Sequence, residues 1–451
     1  MPAVRATLAF VVICILLAPA AWAQAESQPA SQPATAPASA PTTQSQPTTT
    51  TTAAAENEKD RYLAVINGRV HTVTGPVLEQ ATVLCKNGTI LAIGNDVHLP
   101  TECTIVDAKG MFVYPGLVAA CGGILNGTPE SSVNIYSLGL TIALAGGITT
   151  SLVGDTAAKL TFGTTEDMVI KDGLFVNLSY SRRNPLQRAE LRADLERVRA
   201  YLRDQARYER DKERNKDAKP PDKEWLTGEY ESYKQLLEGH AVASAWAETT
   251  QDLRDLADLA SSFGFALVVR GAYEGWTVAG DLGRAGVRAI ITPRTDIDPD
   301  EDLNRPTGST IENARILHDH GVPVAVVPGT QGITTWGLAG RDLLHLNMEA
   351  AFAVRGGLTN DEALRTITID AARILGIDDR VGSLEVGKDA DLVVCDGDLL
   401  HYMTQVHYTI VNGRVAYTKS AESLFAHIRP EGKREMTRFD DQWPRRLEWP
   451  E

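Results

Sequence analysis

Beyond residue 23 the 451-residue sequence has no apolar run long enough to cross a bilayer as a helix. Positive charge is in deficit: Lys and Arg total 44 against 58 Asp and Glu, a formal net charge of -14 with pI ≈ 5.2. That balance argues against nucleic acid or an anionic membrane as a main partner. No stretch resembles a phosphate loop or a dinucleotide fingerprint. Cysteine is sparse, five in all, and Cys14 falls in the N-terminal segment. The other four, Cys85, Cys103, Cys121 and Cys395, allow three pairings. Cys85 with Cys103 is the favoured bridge because both lie in one small region; free buried thiols are the alternative. Histidine is also scarce, nine in all. The one close pair, His318 and His320, precedes Gly321 at an expected helix C-terminus. There i and i+2 face different ways and histidine suits the helix dipole. His71, His98, His240, His345, His401 and His407 are scattered, and no ligand cluster is legible.

What is present begins with a targeting segment. Arg5 gives a positive start, 8–17 is a short apolar core, and Ala21-Trp22-Ala23 fits a small-x-small cleavage site. Residues 1–23 are therefore expected to be a signal peptide, and the protein to be exported, periplasmic or secreted. Residues 24–60 are rich in Pro, Thr, Ser, Ala and Gln and bury too little apolar surface to fold, so they read as a disordered linker.

The next segment, 61–113, is a series of short β-rich runs with Asn67-Gly68 and Asn87-Gly88 as hairpin turn signals. The same chemistry returns in 381–420, where Asn412-Gly413 is the turn. Two β segments at opposite ends of the chain imply one small composite β-sandwich. Between them, 114–380 alternates strand-like runs (117–121, 149–153, 175–178, 241–245, 266–269, 288–292, 324–327) with helical stretches (132–145, 250–263, 274–285, 311–320). That rhythm and length imply an α/β fold, a (β/α)8 TIM-like barrel inserted into the sandwich. One strand of eight is missing from the count and is sought in 295–309 or 168–170. Residues 186–239 interrupt the rhythm with dense charge and Leu191, Leu195, Val198 and Leu202 at helical spacing. They read as a solvated helical insertion, or as a lid or subunit contact over the barrel mouth. The tail, 421–451, is polar, with Trp443 and Trp449.

The first barrel strand is the centre of the functional question. Leu117 to Cys121 is a run for burial on both faces, and it stops at Cys121-Gly122-Gly123. In a parallel barrel, chemistry sits at the C-terminal ends of strands. Here those ends offer a thiol and two glycines.

The run Gly382-Ser383-Leu384-Glu385-Val386-Gly387-Lys388-Asp389-Ala390-Asp391-Leu392-Val393-Val394 resembles the C-terminal signature of the amidohydrolase superfamily, and of imidazolonepropionase-like secreted members in particular. Leu358-Thr359 with Ala363, Leu364, Thr368, Ala371 and Ala372 is similar to that family's last helix, and Tyr114-Pro115-Gly116-Leu117 to its first barrel strand. The resemblance spans roughly 62–417. It implies hydrolysis of cyclic or other non-peptide C–N bonds at one or two divalent metals such as zinc. The ligands would be two histidines at i and i+2 on the first strand, histidines ending two later strands, and an aspartate ending the last. Such a metal lowers the pKa of its water to about 7. The matching positions here are Cys121, Gly123, Ala245, Arg270 and Gln331, none of them the family's residue. Gly123 has no side chain to ligate with, and Arg270 brings a fixed positive charge. The expectation is a degenerate metal site with no cofactor.

Cys121 as a nucleophile would need a base and a lowered pKa; an inert buried thiol is the plainer reading. Asp155, Glu274, Arg294 and Asp296, with Arg270 and Gln331, are the candidate pocket rim. Arginine suits carboxylate or phosphate, so a small anionic molecule or a peptide is the partner this rim would take. The plainer expectation is that Arg270 pairs internally with Glu274. The sequence thus leaves two readings: a non-catalytic binding or partner homologue, as a homo-oligomer or beside an active paralogue, or an active amidohydrolase with an atypical or metal-free site.

Overall fold

The computed structural model describes residues 60–125, 133–181, 183–214, 219–333 and 342–420. The expected signal segment, all of the linker but residue 60, and the tail 421–451 lie outside the described residues. Among those described, no helix is long and apolar enough to cross a membrane.

The two ends of the described chain share one eight-stranded sheet. The first end supplies β1 (Tyr62–His71), β2 (Val77–Lys86), β3 (Thr89–Gly94), β4 (Cys103–Asp107) and β5 (Phe112–Pro115). The other supplies β15 (Leu392–Cys395), β16 (Val406–Val411) and β17 (Arg414–Thr418). The order is β17-β16-β15-β5-β1-β2-β3, with β4 on β1. Asn87-Gly88 and Asn412-Gly413 are hairpin turns with both residues at positive φ. Asn67-Gly68 is not. β1 runs straight through it with a bulge, and a Cβ at Gly68 would meet Val113 Cγ2 at 2.5 Å. The glycine there admits a close neighbour rather than a turn.

The expected Cys85–Cys103 bridge is absent, and all four described cysteines are free thiols. Leu63 of β1 pairs with Cys85 while Tyr62 of β1 pairs with Cys103. β1 therefore lies between them. Two strand spacings are about 9.5 Å, beyond the roughly 7 Å Cα limit of a disulfide.

β15 shows how the sheet joins the rest. Leu392 and Val394 belong to the sheet's own apolar core; Val393 and Cys395 belong to the larger barrel core. A strand buried on both faces must be apolar at every position, and this one is.

The barrel strands are β6 (Leu117–Ala119), β7 (Ile148–Val153), β10 (Phe175–Asn177), β11 (Val242–Ala247), β12 (Leu267–Gly271), β13 (Arg288–Ile291) and β14 (Val324–Val326). β10 to β14 form one parallel arc; β6 and β7 are parallel in another. The second arc continues through β8 (Thr156–Lys159) and β9 (Val169–Lys171), each antiparallel to its neighbour. Neither place offered for the missing parallel strand supplies it: 295–309 carries no strand, and the strand at Val169–Lys171 pairs only antiparallel with β8. It is the outer strand of a hairpin, a pattern that strand–helix alternation does not anticipate.

The helices are α1 (Leu138–Ala145), α2 (Pro185–Asp211), α3 (Glu229–Leu237), α4 (Thr250–Phe263), α5 (Ala279–Arg284), α6 (Asn313–Asp319), α7 (Leu346–Arg355), α8 (Asn360–Thr366) and α9 (Ile369–Leu375). α2 and α3 are the charged insertion, yet Leu191, Leu195 and Val198 are buried in the main core. α6 ends at His320, whose Nδ1 meets the Ile316 carbonyl at 2.8 Å, as a C-terminal histidine should.

Candidate functional site

Cys121, just past β6, is buried at 3% exposure. Burial pushes its thiol up to about 12, against the pull of the nearby Arg270 guanidinium. At neutral pH it is a neutral thiol, which is neither the nucleophile nor the metal-binding form. Its carbonyl accepts a 3.0 Å hydrogen bond from Ser151 Oγ on β7. Gly123 has φ +108, and a Cβ there would stand 2.5 Å from the Gln331 carbonyl oxygen. The chain after β14 thus packs directly on the end of β6. Gly123 is a structural requirement, and the space for a side chain at that position is filled by backbone. The Gln331 side chain is exposed.

Register decides which side chains share the barrel interior. β11 and β12 pair Ala245 with Val269 and Trp246 with Arg270; β12 and β13 pair Arg270 with Ile290. Side chains alternate along a strand, so Ala245 faces away from the side carrying Arg270. That side also holds Phe175 of β10, whose ring centroid lies 5.3 Å from Arg270 Cζ, and it is reached by Cys121 from β6. A face seen from three separated strands is the inside of the ring. By this register Trp246, rather than Ala245, shares the face that carries Arg270. Parity was the available signal: Ala243, Ala245 and Ala247 are an outward stripe of small buried residues, while Trp246 is 50% exposed.

Arg270 Nε is buried without a hydrogen-bond partner, and burial lowers the guanidinium's pKa, with Cys121 opposing. Arginine stays charged even so. The expected pairing with Glu274 is not made. Glu274 accepts from the Thr250 N–H and Oγ1, both at 2.7 Å, from the Gly308 N–H at 3.2 Å and from Arg305 Nη1 at 3.1 Å. Burial pushes its carboxyl up, but these donors hold it below the usual range. Among the described residues Arg270 has no carboxylate within ion-pair distance.

The other expected rim residues do not converge on Arg270. Arg294 Nε donates to the fully buried Glu349 at 2.7 Å, and its guanidinium stacks on Phe352. Asp155 is exposed in the β7–β8 turn, where its carbonyl accepts from the Leu174 N–H; Asp296 is exposed in the loop after β13. Among the described residues no three His, Cys, Asp or Glu side chains gather as a metal would require.

What the ends of β10 and β11 do form is a cavity of about 740 Å³. Tyr180, Arg183, Trp246, Glu248, Thr249 and Asp252 are among its lining residues, between the starts of α2 and α4. It stands on the catalytic face of such a barrel. Trp246 Nε1 donates to Glu248 Oε1 at 2.7 Å; Asp252 Oδ2 accepts from Thr249 Oγ1 at 2.9 Å, and its Oδ1 is buried and unpartnered. Of these residues the sequence pattern singled out none. The available signal was the strand-to-cap transition Trp246-Ala247-Glu248-Thr249, which puts polar groups at a strand's C-terminal end.

A family model described as "Amidohydrolase family" matches residues 284–418. The chain is 35% identical over 144 residues to an imidazolonepropionase of Mesorhizobium japonicum, covering 31% of each chain. It is 35% identical over 130 residues to an imidazolonepropionase of Micrococcus luteus, covering 28% of each. The chain thus matches less than a third of the length of these curated relatives. A solved amidohydrolase from Thermotoga maritima superposes with a TM-score of 0.62 at 22% identity, covering 79% of this chain and 100% of that one.

Proposed function

We propose that in this chain, of the amidohydrolase superfamily and imidazolonepropionase-like over part of its length, the barrel mouth is a binding site rather than a hydrolytic metal centre. The observation that carries this reading is Arg270: a positive guanidinium on the interior face, with no carboxylate partner among the described residues. A divalent ion about 5 Å from that charge would be repelled by roughly 7 kcal/mol at an effective dielectric of about 20. That is on the order of a 10⁵-fold loss in affinity. Other residues point the same way. Cys121 is a neutral thiol, Gly123 has backbone where a side chain would go, and Trp246 offers an indole. These residues do not fit a zinc-type cation, which takes thiolate, imidazole or carboxylate.

The test is elemental analysis of protein purified without chelators, together with a screen of cyclic and linear amides with and without added zinc. The reading expects well under one equivalent of metal and no turnover in either arm. Stoichiometric metal, or hydrolysis of a C–N bond that a clean preparation sustains, would overturn it.

A further inference from the structure

Arg270 is the unusual charge in this barrel. The other arginine expected near the mouth, Arg294, is neutralised internally by Glu349, and Glu274 is claimed by Arg305 and Thr250. Arg270 instead lies over an aromatic ring, with the Trp246 indole as its register neighbour on the next strand and a neutral thiol close by. A planar guanidinium presents its donors in one plane, the arrangement that binds a carboxylate through two parallel hydrogen bonds. The Nε of this half-buried side chain is buried without a partner, which is costly, so an arriving anion relieves that cost as well as gaining its own contacts. Trp246, the register partner of Arg270, lines the 740 Å³ cavity at the ends of β10 and β11, whereas Arg270 itself does not.

We propose that Arg270 is the anchor of a carboxylate-binding site, with the carboxylate held inside the barrel and the rest of the ligand lying past Trp246 in that cavity. Glu248, Asp252 and Arg183 line the cavity, two negative charges against one positive. The net negative lining disfavours a second negative charge there, so the site selects monocarboxylates with a neutral or cationic body over dianions. This inference rests on the binding-site reading above and gives it a ligand class.

The probes are small enough to reach the guanidinium: sodium acetate, its neutral isostere acetamide, and inorganic phosphate. Each is added to the full chain at an ionic strength matched with chloride, and thermal unfolding is followed with calorimetric titration. The expected result is a saturable acetate response, with a rise in Tm of about 1–3 °C at tens of millimolar, no response to acetamide, and a smaller one to phosphate. Arg270→Met should abolish the acetate response, and Arg270→Lys should weaken it about tenfold. Acetate indistinguishable from chloride in the wild type overturns the proposal whether or not either variant folds. So does an acetate response that survives in Arg270→Met, and a phosphate response larger than acetate would reassign the site away from carboxylates. The metal analysis separates the two failures. Bound stoichiometric metal defeats the binding-site reading itself; metal-free protein deaf to acetate defeats only the ligand assignment.

Discussion

Lys159 stands on β8 with none of its side chain exposed, and its ammonium lies 2.6 Å from Asp389 and 3.2 Å from Asp391. It also donates to Asn412. These three partners sit in the strand re-entry and the β16–β17 turn, so one lysine ties the β8 hairpin to the sheet. Replacing it with methionine keeps the stem and removes the charge. Asp389 would keep Arg380, at 2.8 and 2.9 Å. Asp391 would keep only the Asn412 N–H at 2.8 Å, so an uncompensated carboxylate would remain fully buried. Removing one partner of a buried pair costs about 3–5 kcal/mol. For a unit of about 390 residues the unfolding entropy is near 0.8 kcal/mol/K, which makes the Tm drop about 4–6 °C.

The pH dependence has a definite sign. Burial already pushes the Asp391 carboxyl above the ordinary carboxylate range, against the pull of Lys159 and the Asn412 N–H. Without Lys159 it rises further, while the unfolded value stays near 3.9. Between those values the folded state binds the extra proton, so the variant gains stability as pH falls. Its deficit, measured by calorimetry at one scan rate, should be full at pH 8 and narrower at pH 5. Lys159→Met with Asp391→Asn should recover most of the loss, because the orphaned charge is gone. A single-variant loss under about 1 kcal/mol, a deficit equal at both pH values, or no rescue by the second change would each refute the account.

Gly123→Ala should cost at least about 2 kcal/mol, since it meets both a positive φ and backbone at 2.5 Å; denaturant unfolding with less than half that loss would show that the chain at 331–332 yields. Thiol alkylation at pH 8 in native protein should label Cys103, which is partly exposed, and spare Cys121 and Cys85, whose thiols burial pushes up to about 12; mass mapping that finds Cys121 modified first would contradict a closed strand end. Thr359→Ala should cost about 1 kcal/mol, because Thr359 and Glu362 form a capping box at the start of α8; an unchanged Tm would mean the helix end is held by packing alone.

Composition and local pattern determined a good deal of this protein. The Asn-Gly turns at 87–88 and 412–413 encode their hairpins in the two residues themselves, since few other pairs accept positive φ twice. The apolar run of β15 announces a strand covered on both sides. The scarcity of histidine, and the Cys121-Gly122-Gly123 end of the first strand, are properties of the chain whatever its fold. Partners distant in sequence were decided by tertiary structure. Nothing local to Arg270 shows that Glu274, four residues on, is taken by Thr250, Arg305 and Gly308 and leaves it unpaired. Strand parity that puts Trp246 rather than Ala245 beside it depends on register, and one residue of slip reverses a side chain. Nothing adjacent to Lys159 in the sequence supplies a carboxylate partner. The lysine is buried because the segment carrying Asp389 and Asp391, more than two hundred residues later, folds back over it with the opposite charges in place.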